Sequence, residues 1–363
     1  MKVQKGQLEG GKIIWLVLDD NYLPVEPISK YLRYLDSLER SPHTICGYAR
    51  NLKFYFEYLK ENSLDWKTVN LEQRAEFIHW LRNPQPGTIP FSPQHSIRSE
   101  KTVNHALTTV ASFYEFHERL GTTQGVENYC GATQKGSKYK PFLHHISKGN
   151  QVKTKLLKVK EQLTFPGCLN DDEVKTLINT CKHVRDKFLI CLLYETGMRI
   201  GEALGLRISD CVTGGTNEIH IKNRLDNFNG ARAKSGDRII HVCQELMQLF
   251  SDYLIDEYPE DVDSDYVFIS IWSHKVEPGT PLTYSAVDSL FRRLRKKTGI
   301  YATAHLLRHS HATNLVRAGW DMSYVQKRLG HSDIQTTTNT YVHLLDDDLK
   351  AEYQKYLENK SKK

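Results

Sequence analysis

A basic segment separates two parts of this chain that differ in their hydrophobic patterns. Residues 121–163 contain eight lysines and two glutamates, so this segment carries a charge equal to the whole formal net charge of +6 of the 363-residue chain. Gly136 and Gly149 lie inside it. This composition is typical of an interdomain linker that meets a polyanion, and a solvated tether would have the same composition. We therefore predict two domains, one on each side of the segment.

The part before the basic segment has the spacing of amphipathic helices. Apolar residues recur at helical intervals in PISKYLRYLDSLER, SPHTICGYARNLKFYFEYLKEN and TVNHALTTVASFYEFHERL, and a shorter helix is predicted near residues 72–81. Ser41 or Thr44 is the expected N-cap of the second helix. The run IIWLVL is too short to span a membrane and lacks the cleavage site of a signal peptide, so it is predicted to be a strand.

The part after the basic segment mixes helical and alternating patterns. Asn170 and Glu173 have the spacing of a capping box, which predicts a helix start. Further helices are predicted at residues 185–195, 284–297, 306–318 and 322–329, and strands in TNEIHIKNR, RIIHV and YVFIS. A small sheet among helices indicates an α+β domain. A last helix is predicted after residue 343, with one apolar face that must dock on this domain or on another subunit.

Neither a disulfide framework nor a metal site is expected. The seven cysteines are scattered without a C-x-x-C pair, which is typical of a protein in a reducing cytosol. His305 and His309 have the i, i+4 spacing of a zinc-binding helix, but no glutamate lies between them and Arg308 would repel a cation. The chain has no G-x-x-x-x-G-K-[ST] phosphate loop. We therefore expect chemistry that uses no metal and no other cofactor.

Six residues in four short stretches have side chains suited to phosphodiester chemistry. They are Arg199, Lys234, His305, Arg308, His331 and Tyr341. Two arginines can clamp non-bridging phosphate oxygens, a tyrosine hydroxyl can act as a nucleophile, a lysine can protonate the leaving oxygen, and histidines can accept the tyrosine proton. Each residue also has an ordinary structural interpretation, because Arg199 could simply pair with Glu202 and Lys234 could be a solvated turn residue.

Four motifs carry a resemblance to a known family. They are TGMRIGEALGL, AKSGDR, HLLRHSHAT and LGHSDIQTTTNTYVH, in this order. On these motifs the chain resembles the tyrosine recombinases of the phage-integrase family, roughly over residues 169–345. The stretch TICGYARNLKFYFEYL resembles, less specifically, the core-binding domain of that family.

The resemblance implies an α+β fold with a defined domain order. A helical core-binding domain at residues 26–121 would be joined by a basic linker at 122–163 to a mixed α/β catalytic domain at 164–345, which contains a small antiparallel sheet. Residues 1–25 would be an N-terminal extension, similar to the extra region of transposon-encoded and phage members. Residues 346–363 would form a C-terminal tail helix.

The resemblance also assigns a role to each of the six residues. The two arginines would hold the scissile phosphate, and His331 would hydrogen-bond it. Tyr341 would attack the phosphorus to give a 3′-phosphotyrosine, His305 would assist proton transfer at the nucleophile, and Lys234 would protonate the leaving 5′-oxygen. Because the phosphotyrosine conserves the energy of the broken bond, rejoining would need no ATP.

DNA contacts are also predicted, those of the linker from its concentrated positive charge, and the resemblance implies an assembly. The predicted DNA contacts are Thr44 and Arg50 on the second helix and three linker lysines, Lys153, Lys155 and Lys158. The implied partners are double-stranded DNA recombination sites, a homo-tetramer on paired sites and accessory recombination proteins, in the cytoplasm of a bacterium. Two alternatives stay open at this point: a type IB topoisomerase, which shares the tyrosine chemistry, and a non-catalytic DNA-binding relative.

Overall fold

The computed structural model divides into two compact units, residues 1–163 and 164–363. It describes residues 1–8, 13–82, 98–123, 157–161, 167–224, 226–233, 235–272 and 276–330, together with the backbone of 129–132 and 152–155. Within these ranges, no helix is both long and apolar enough to cross a membrane. In the same ranges, histidine, cysteine and carboxylate side chains form no cluster that could hold a metal ion.

The first unit is a helical bundle with a β-hairpin at its start. Its helices are α1 (Glu26–Ser37), α2 (Pro42–Glu61), α3 (Leu71–Arg82) and α4 (Glu100–Arg119). The strands β1 (Lys2–Gln7) and β2 (Ile13–Leu18) pair antiparallel, which confirms the strand predicted for IIWLVL. The hairpin is part of the helical core, because Val17 is fully buried there. A second antiparallel pair joins β3 (Tyr129–Ala132) to β4 (Val152–Lys155).

Serine hydroxyls cap α2 and α4 of this unit, and aromatic side chains fill its core. The Ser41 hydroxyl accepts a hydrogen bond from the backbone N–H of Thr44, so Ser41 is the N-cap of α2. Inside, Tyr55 and Tyr114 share a hydroxyl–hydroxyl hydrogen bond of 2.7 Å, which satisfies two polar atoms that burial would otherwise leave without water.

The end of the basic segment packs against α4. The Asn104 side chain accepts from the backbone N–H of Val159 at 2.8 Å and donates to the carbonyl of the same residue at 2.9 Å. Leu157 and Val159 turn toward the aromatic core, while Lys158 and Lys160 are exposed. The alternation of apolar and basic residues therefore turns the lysines of this short stretch toward solvent.

The second unit places a three-stranded antiparallel sheet among helices. The helices are α5 (Asp171–Thr180), α6 (Val184–Thr196), α7 (Ile200–Ala203), α8 (Gln244–Asp256), α9 (Tyr284–Thr298), α10 (Ala304–Arg317) and α11 (Met322–Leu329). The strands β5 (Cys211–Val212), β6 (Glu218–Ile221) and β7 (Arg238–His241) lie in sequence order in the sheet. The predicted capping box of Asn170 and Glu173 begins α5. The predicted α+β class, with a helical unit before a mixed unit that holds a small antiparallel sheet, is confirmed.

This unit differs from the sequence prediction at several elements, among them the two-residue strand β5, which was not predicted. The stretch YVFIS was predicted to be a strand, and this was wrong: Tyr266 and Ile269 form only isolated bridges, to Arg207 and Pro281. The stretch is apolar because it is buried throughout, and its backbone pairs singly with loop segments on both sides. Helix α8 was missed, although its buried residues Leu246, Met247, Phe250 and Tyr253 have helical spacing.

Candidate active site

Arg199 owes its position to the glycine that ends α6. Gly197 is left-handed, with φ of +62°, and caps the helix. A Cβ atom at this position would lie 2.6 Å from Cδ2 of His311 and 2.8 Å from Cδ2 of Leu329, so no larger residue fits without movement. The chain reverses there, and Arg199 becomes the N-cap residue of α7. The glycine of the motif TGMRIGEALGL is therefore a requirement of this packing.

Glu202 holds the arginine in place from the third position of α7. Its carboxylate accepts from the Arg199 backbone N–H at 2.8 Å, from Arg199 Nη1 at 3.2 Å and from Ser235 Oγ at 2.7 Å. Arg238 adds two bonds, at 3.1 and 2.8 Å. Burial alone would raise the pKa of Glu202. The hydrogen bonds and the charge of Arg238, together with hydrogen bonds from Ser235 and from the Arg199 amide, instead hold this pKa at about 2. Glu202 is thus an anion at neutral pH.

Arg308 reaches the same region from α10. This helix begins at Thr303, whose hydroxyl accepts from the Leu306 backbone N–H. The Arg308 side chain is buried, and its Nη1 donates to the Gly197 carbonyl at 2.7 Å while its Nη2 donates to the Leu329 carbonyl at 2.8 Å. The fork geometry of the guanidinium group lets it bond both carbonyls at once.

The last turn of α11 brings the two arginines together. Arg199 Nη1 lies 3.4 Å from the Leu329 carbonyl, which Arg308 also contacts, and 3.1 Å from the Gly330 carbonyl. Residues separated by 109 positions in the chain therefore have their guanidinium groups beside one shared oxygen. Two adjacent cations of this kind favour a bound anion, and their planar forks suit phosphate oxygens.

His305 lies one turn before Arg308, at the exposed start of α10. Partial burial lowers the pKa of His305, and the positive charges of Arg308 and Arg199 lower it further. The imidazole is therefore neutral at physiological pH, and a neutral imidazole can accept a proton.

The other three predicted site residues, Lys234, His331 and Tyr341, lie outside the described residues. The described neighbours of Lys234 and His331 both contact Arg199. Ser235, which follows Lys234, accepts from Arg199 Nη1 at 2.8 Å. Gly330, which precedes His331, accepts from the same nitrogen through its carbonyl.

The predicted DNA contacts lie in the first unit. Thr44 and Arg50 are exposed on α2, and the Thr44 hydroxyl lies 2.8 Å from that of Ser41. Of the three linker lysines, Lys158 is exposed, next to Val159, whose backbone is hydrogen-bonded to Asn104. The other two belong to β4, of which the structure describes the backbone alone.

Glu202, Ser235 and Arg238 form a hydrogen-bonded network around Arg199. The sequence analysis assigned no role to Ser235 or Arg238 and gave Glu202 only a minor one. Glu202 was considered only as a structural partner of Arg199, yet it also bonds Ser235 and Arg238. The i, i+3 spacing to Arg199 was the available signal for Glu202. Arg238 and Ser235 lie in the motif AKSGDR, but only Lys234 of that motif was given a role, because the contacts of the other two depend on the β6–β7 connection returning to α7.

Comparison with known proteins identifies the family. Residues 168–348 match the phage integrase family, and residues 28–121 match the phage integrase N-terminal SAM-like domain. Transposase A from transposon Tn554 of Staphylococcus aureus is 44% identical over 366 aligned residues, which cover 100% of both chains. The chain belongs to the phage integrase family. It is a site-specific tyrosine recombinase, an enzyme that cleaves and rejoins DNA strands.

More distant relatives agree with this placement. Tyrosine recombinase XerD of Oceanobacillus iheyensis is 27% identical over 345 residues, covering 92% of this chain and 97% of the relative. Among solved structures, the Tn1549 transposon integrase in complex with transposon right end DNA aligns with a TM-score of 0.61 at 20% identity, covering 91% of this chain and 98% of that one. XerH recombinase bound to its difH substrate aligns with a TM-score of 0.59, at 20% identity and with 85% and 78% coverage. These two structures share the fold.

Proposed function

We propose that this recombinase is a transposase that moves a bacterial mobile element through a 3′-phosphotyrosine intermediate formed on Tyr341. The observation that carries the proposal is the pair of guanidinium groups, Arg199 and Arg308, on one shared carbonyl oxygen. Full-length similarity to a Tn554 transposase supports the transposon context, and the DNA-bound Tn1549 integrase supports double-stranded DNA as the partner.

In the proposed cleavage step, the two arginines bind the non-bridging oxygens of the scissile phosphate. Their charge stabilises the additional negative charge of the pentacoordinate transition state. The Tyr341 oxygen forms a bond to phosphorus, and the bond from phosphorus to the 5′-oxygen breaks. His305, neutral before the reaction, accepts the tyrosine proton, while Lys234 donates a proton to the leaving 5′-oxygen. His331 donates a hydrogen bond to the phosphate.

In the proposed rejoining step, a new 5′-hydroxyl attacks the phosphotyrosine and releases the Tyr341 hydroxyl. The proton transfers run in reverse, so the lysine accepts a proton and the tyrosine regains one. The number of phosphodiester bonds is unchanged over the cycle, and this is why the reaction requires no nucleotide cofactor.

The proposed assembly is a homo-tetramer on paired recombination sites, with accessory recombination proteins, in the bacterial cytoplasm. The three linker lysines and the exposed Thr44 and Arg50 are proposed to contact DNA, where each lysine contributes mainly through phosphate charge. Residues 346–363 are proposed to form a tail helix that docks on a neighbouring subunit. Truncation after His343 should then leave single-site binding intact and prevent the tetramer from forming, as measured by mass photometry with paired sites.

A strand-exchange experiment separates the proposal from its two alternatives. Supercoiled plasmids would carry either one or two copies of the element's junction sequence, taken from the DNA that flanks the gene. The proposal predicts recombinant circles from the two-site plasmid. Relaxation of both plasmids without recombinants would instead indicate a type IB topoisomerase, and retained DNA binding without any strand cleavage would indicate a non-catalytic relative.

A further inference from the structure

Arg328, on the last turn of α11, ties that turn to three other elements. Its Nε lies 3.1 Å from Nε2 of His311 on α10, its Nη1 donates to the His241 carbonyl of β7 at 3.2 Å, and its Nη2 donates to the Glu195 carbonyl of α6 at 3.0 Å. All three acceptors are uncharged. Burial lowers the pKa of Arg328, although an arginine remains charged at any physiological pH.

His311 is the uncharged acceptor on α10. Burial lowers its pKa to about 3, with further contributions from the charges of Arg328 and Arg308. A neutral imidazole has one acceptor nitrogen, which faces Arg328, and one N–H, which is directed to the Tyr194 carbonyl. The ring also packs directly on Gly197, whose carbonyl binds Arg308.

We infer that Arg328 and His311 are positioning residues for Arg199 and Arg308, the two arginines proposed to bind the scissile phosphate. These two arginines are called the phosphate clamp below. The turn that Arg328 fixes supplies Leu329 and Gly330, and the carbonyls of these residues accept from Arg308 and Arg199. The Arg328 carbonyl is itself fixed by Arg238 Nε, at 3.1 Å. The turn is thus held by the bonds of the Arg328 guanidinium and by those of Arg199 and Arg308.

The same turn leads into the segment proposed to hold the nucleophile. Gly330 ends α11 in a left-handed conformation, with φ of +66°, and His331 follows it in the sequence. A Cβ atom on Gly330 would lie 2.7 Å from Ser235 Oγ, so the turn is packed tightly against the network around Glu202. A small displacement of the turn therefore moves both clamp arginines relative to Glu202. The role of Arg328 rests on the proposed function, because it acts through the clamp.

Three variants of the full-length protein test the positioning role. Arg328→Lys keeps the charge but loses the three-directional fork, and Arg328→Met loses both. The double variant Arg328→Leu with His311→Phe replaces the polar pair by an apolar pair, so that no buried donor or acceptor of these two side chains is left unsatisfied. Arg292→Met, at an exposed position of α9, is the matched control.

The measurements are single-turnover strand cleavage, DNA affinity and thermal unfolding. Displacement of reacting groups by about 1 Å costs roughly 100-fold in rate, so we expect a loss of this order for Arg328→Met with unchanged DNA affinity. Each variant is also assayed on DNA whose scissile phosphate is replaced by a neutral methylphosphonate. This substrate has less negative charge for the clamp to stabilise, so the variants should lose much less rate on it. Arg328→Lys should show the same pattern.

Two results would overturn the positioning role. One is a folded double variant that cleaves the normal phosphate at the wild-type rate. The other is an equal loss of rate on phosphate and methylphosphonate in every variant, which is the pattern of a merely structural defect. If the wild-type protein itself cleaved neither substrate, the proposed function would be wrong, and not only the role of Arg328.

Discussion

Replacing Glu202 by glutamine should destabilise the second unit, because Glu202 is the buried anion on which Arg199, Ser235 and Arg238 converge. Its pKa falls from 4.5 to about 2 in the folded protein. At about 1.4 kcal/mol for each pKa unit, this shift corresponds to about 3 kcal/mol of stability at neutral pH. Removing one partner of a buried ion pair costs about 3–5 kcal/mol in other proteins, which is the same order.

The size of this effect should depend on pH in a defined direction. A carboxyl whose pKa is lowered by folding contributes its full stabilisation above its unfolded pKa of 4.5 and loses it as the pH falls toward about 2. The difference between wild type and Glu202→Gln should therefore be largest at neutral pH and should fall to about half by about pH 3.

Urea unfolding followed by circular dichroism measures both quantities, and thermal unfolding gives an independent value. For a unit of this size, about 3 kcal/mol corresponds to a fall in Tm of roughly 6–12 °C. Glu277→Gln, at an exposed position, is the control and should change little. A loss below about 1 kcal/mol at neutral pH, or a loss that stays constant as the pH is lowered, would refute the assignment of Glu202 as the buried anion of the network.

Three further predictions concern other parts of the chain. Gly197→Ala should lower the free energy of unfolding by more than the roughly 1–2 kcal/mol of a left-handed alanine, because the added Cβ also meets His311. Gly214 is also left-handed but has open space around it, so Gly214→Ala should cost only the backbone part. The Tm values of the two variants give the comparison. Changing the three linker lysines to glutamine should flatten the plot of log K against log salt by about 0.9 for each phosphate that the variant no longer neutralises, and an unchanged slope in a filter-binding titration would leave these lysines as solubilising charge. Since the pKa of His305 is lowered, the rate of single-turnover cleavage should be maintained below the ordinary histidine pKa and decline only at more acidic pH. His305→Gln should remove that decline. A decline at the ordinary pKa, or one that survives in His305→Gln, would assign the titration to another group.

Features that depend on neighbouring residues were predictable from the sequence. The capping box of Asn170 and Glu173 closes within one helical turn, and the apolar run Ile13–Leu18 had a composition that favours a strand. Family motifs led directly to Arg199 and Arg308, and the structure brings both to the last turn of α11.

Features that depend on distant parts of the chain were not predictable in the same way. Tyr266 and the residues after it have the pattern of a strand, but burial explains that pattern equally well, and only the tertiary structure shows that the neighbouring segments are loops. Arg328 and His311 meet because α10 and α11 pack against each other, and Arg238 reaches Glu202 across 36 residues. Neither contact leaves a periodic signal in the sequence.

The identity of the nucleophile is the most direct test of the proposed chemistry. Full-length protein would be trapped on a nicked suicide substrate that carries the element's end, and the covalent adduct would be digested and sequenced by mass spectrometry. The proposed chemistry predicts a nucleotide adduct on Tyr341, linked through a 3′-phosphate, and its complete loss in Tyr341→Phe with DNA binding retained. An adduct on any other residue, or an adduct that persists in Tyr341→Phe, would contradict it.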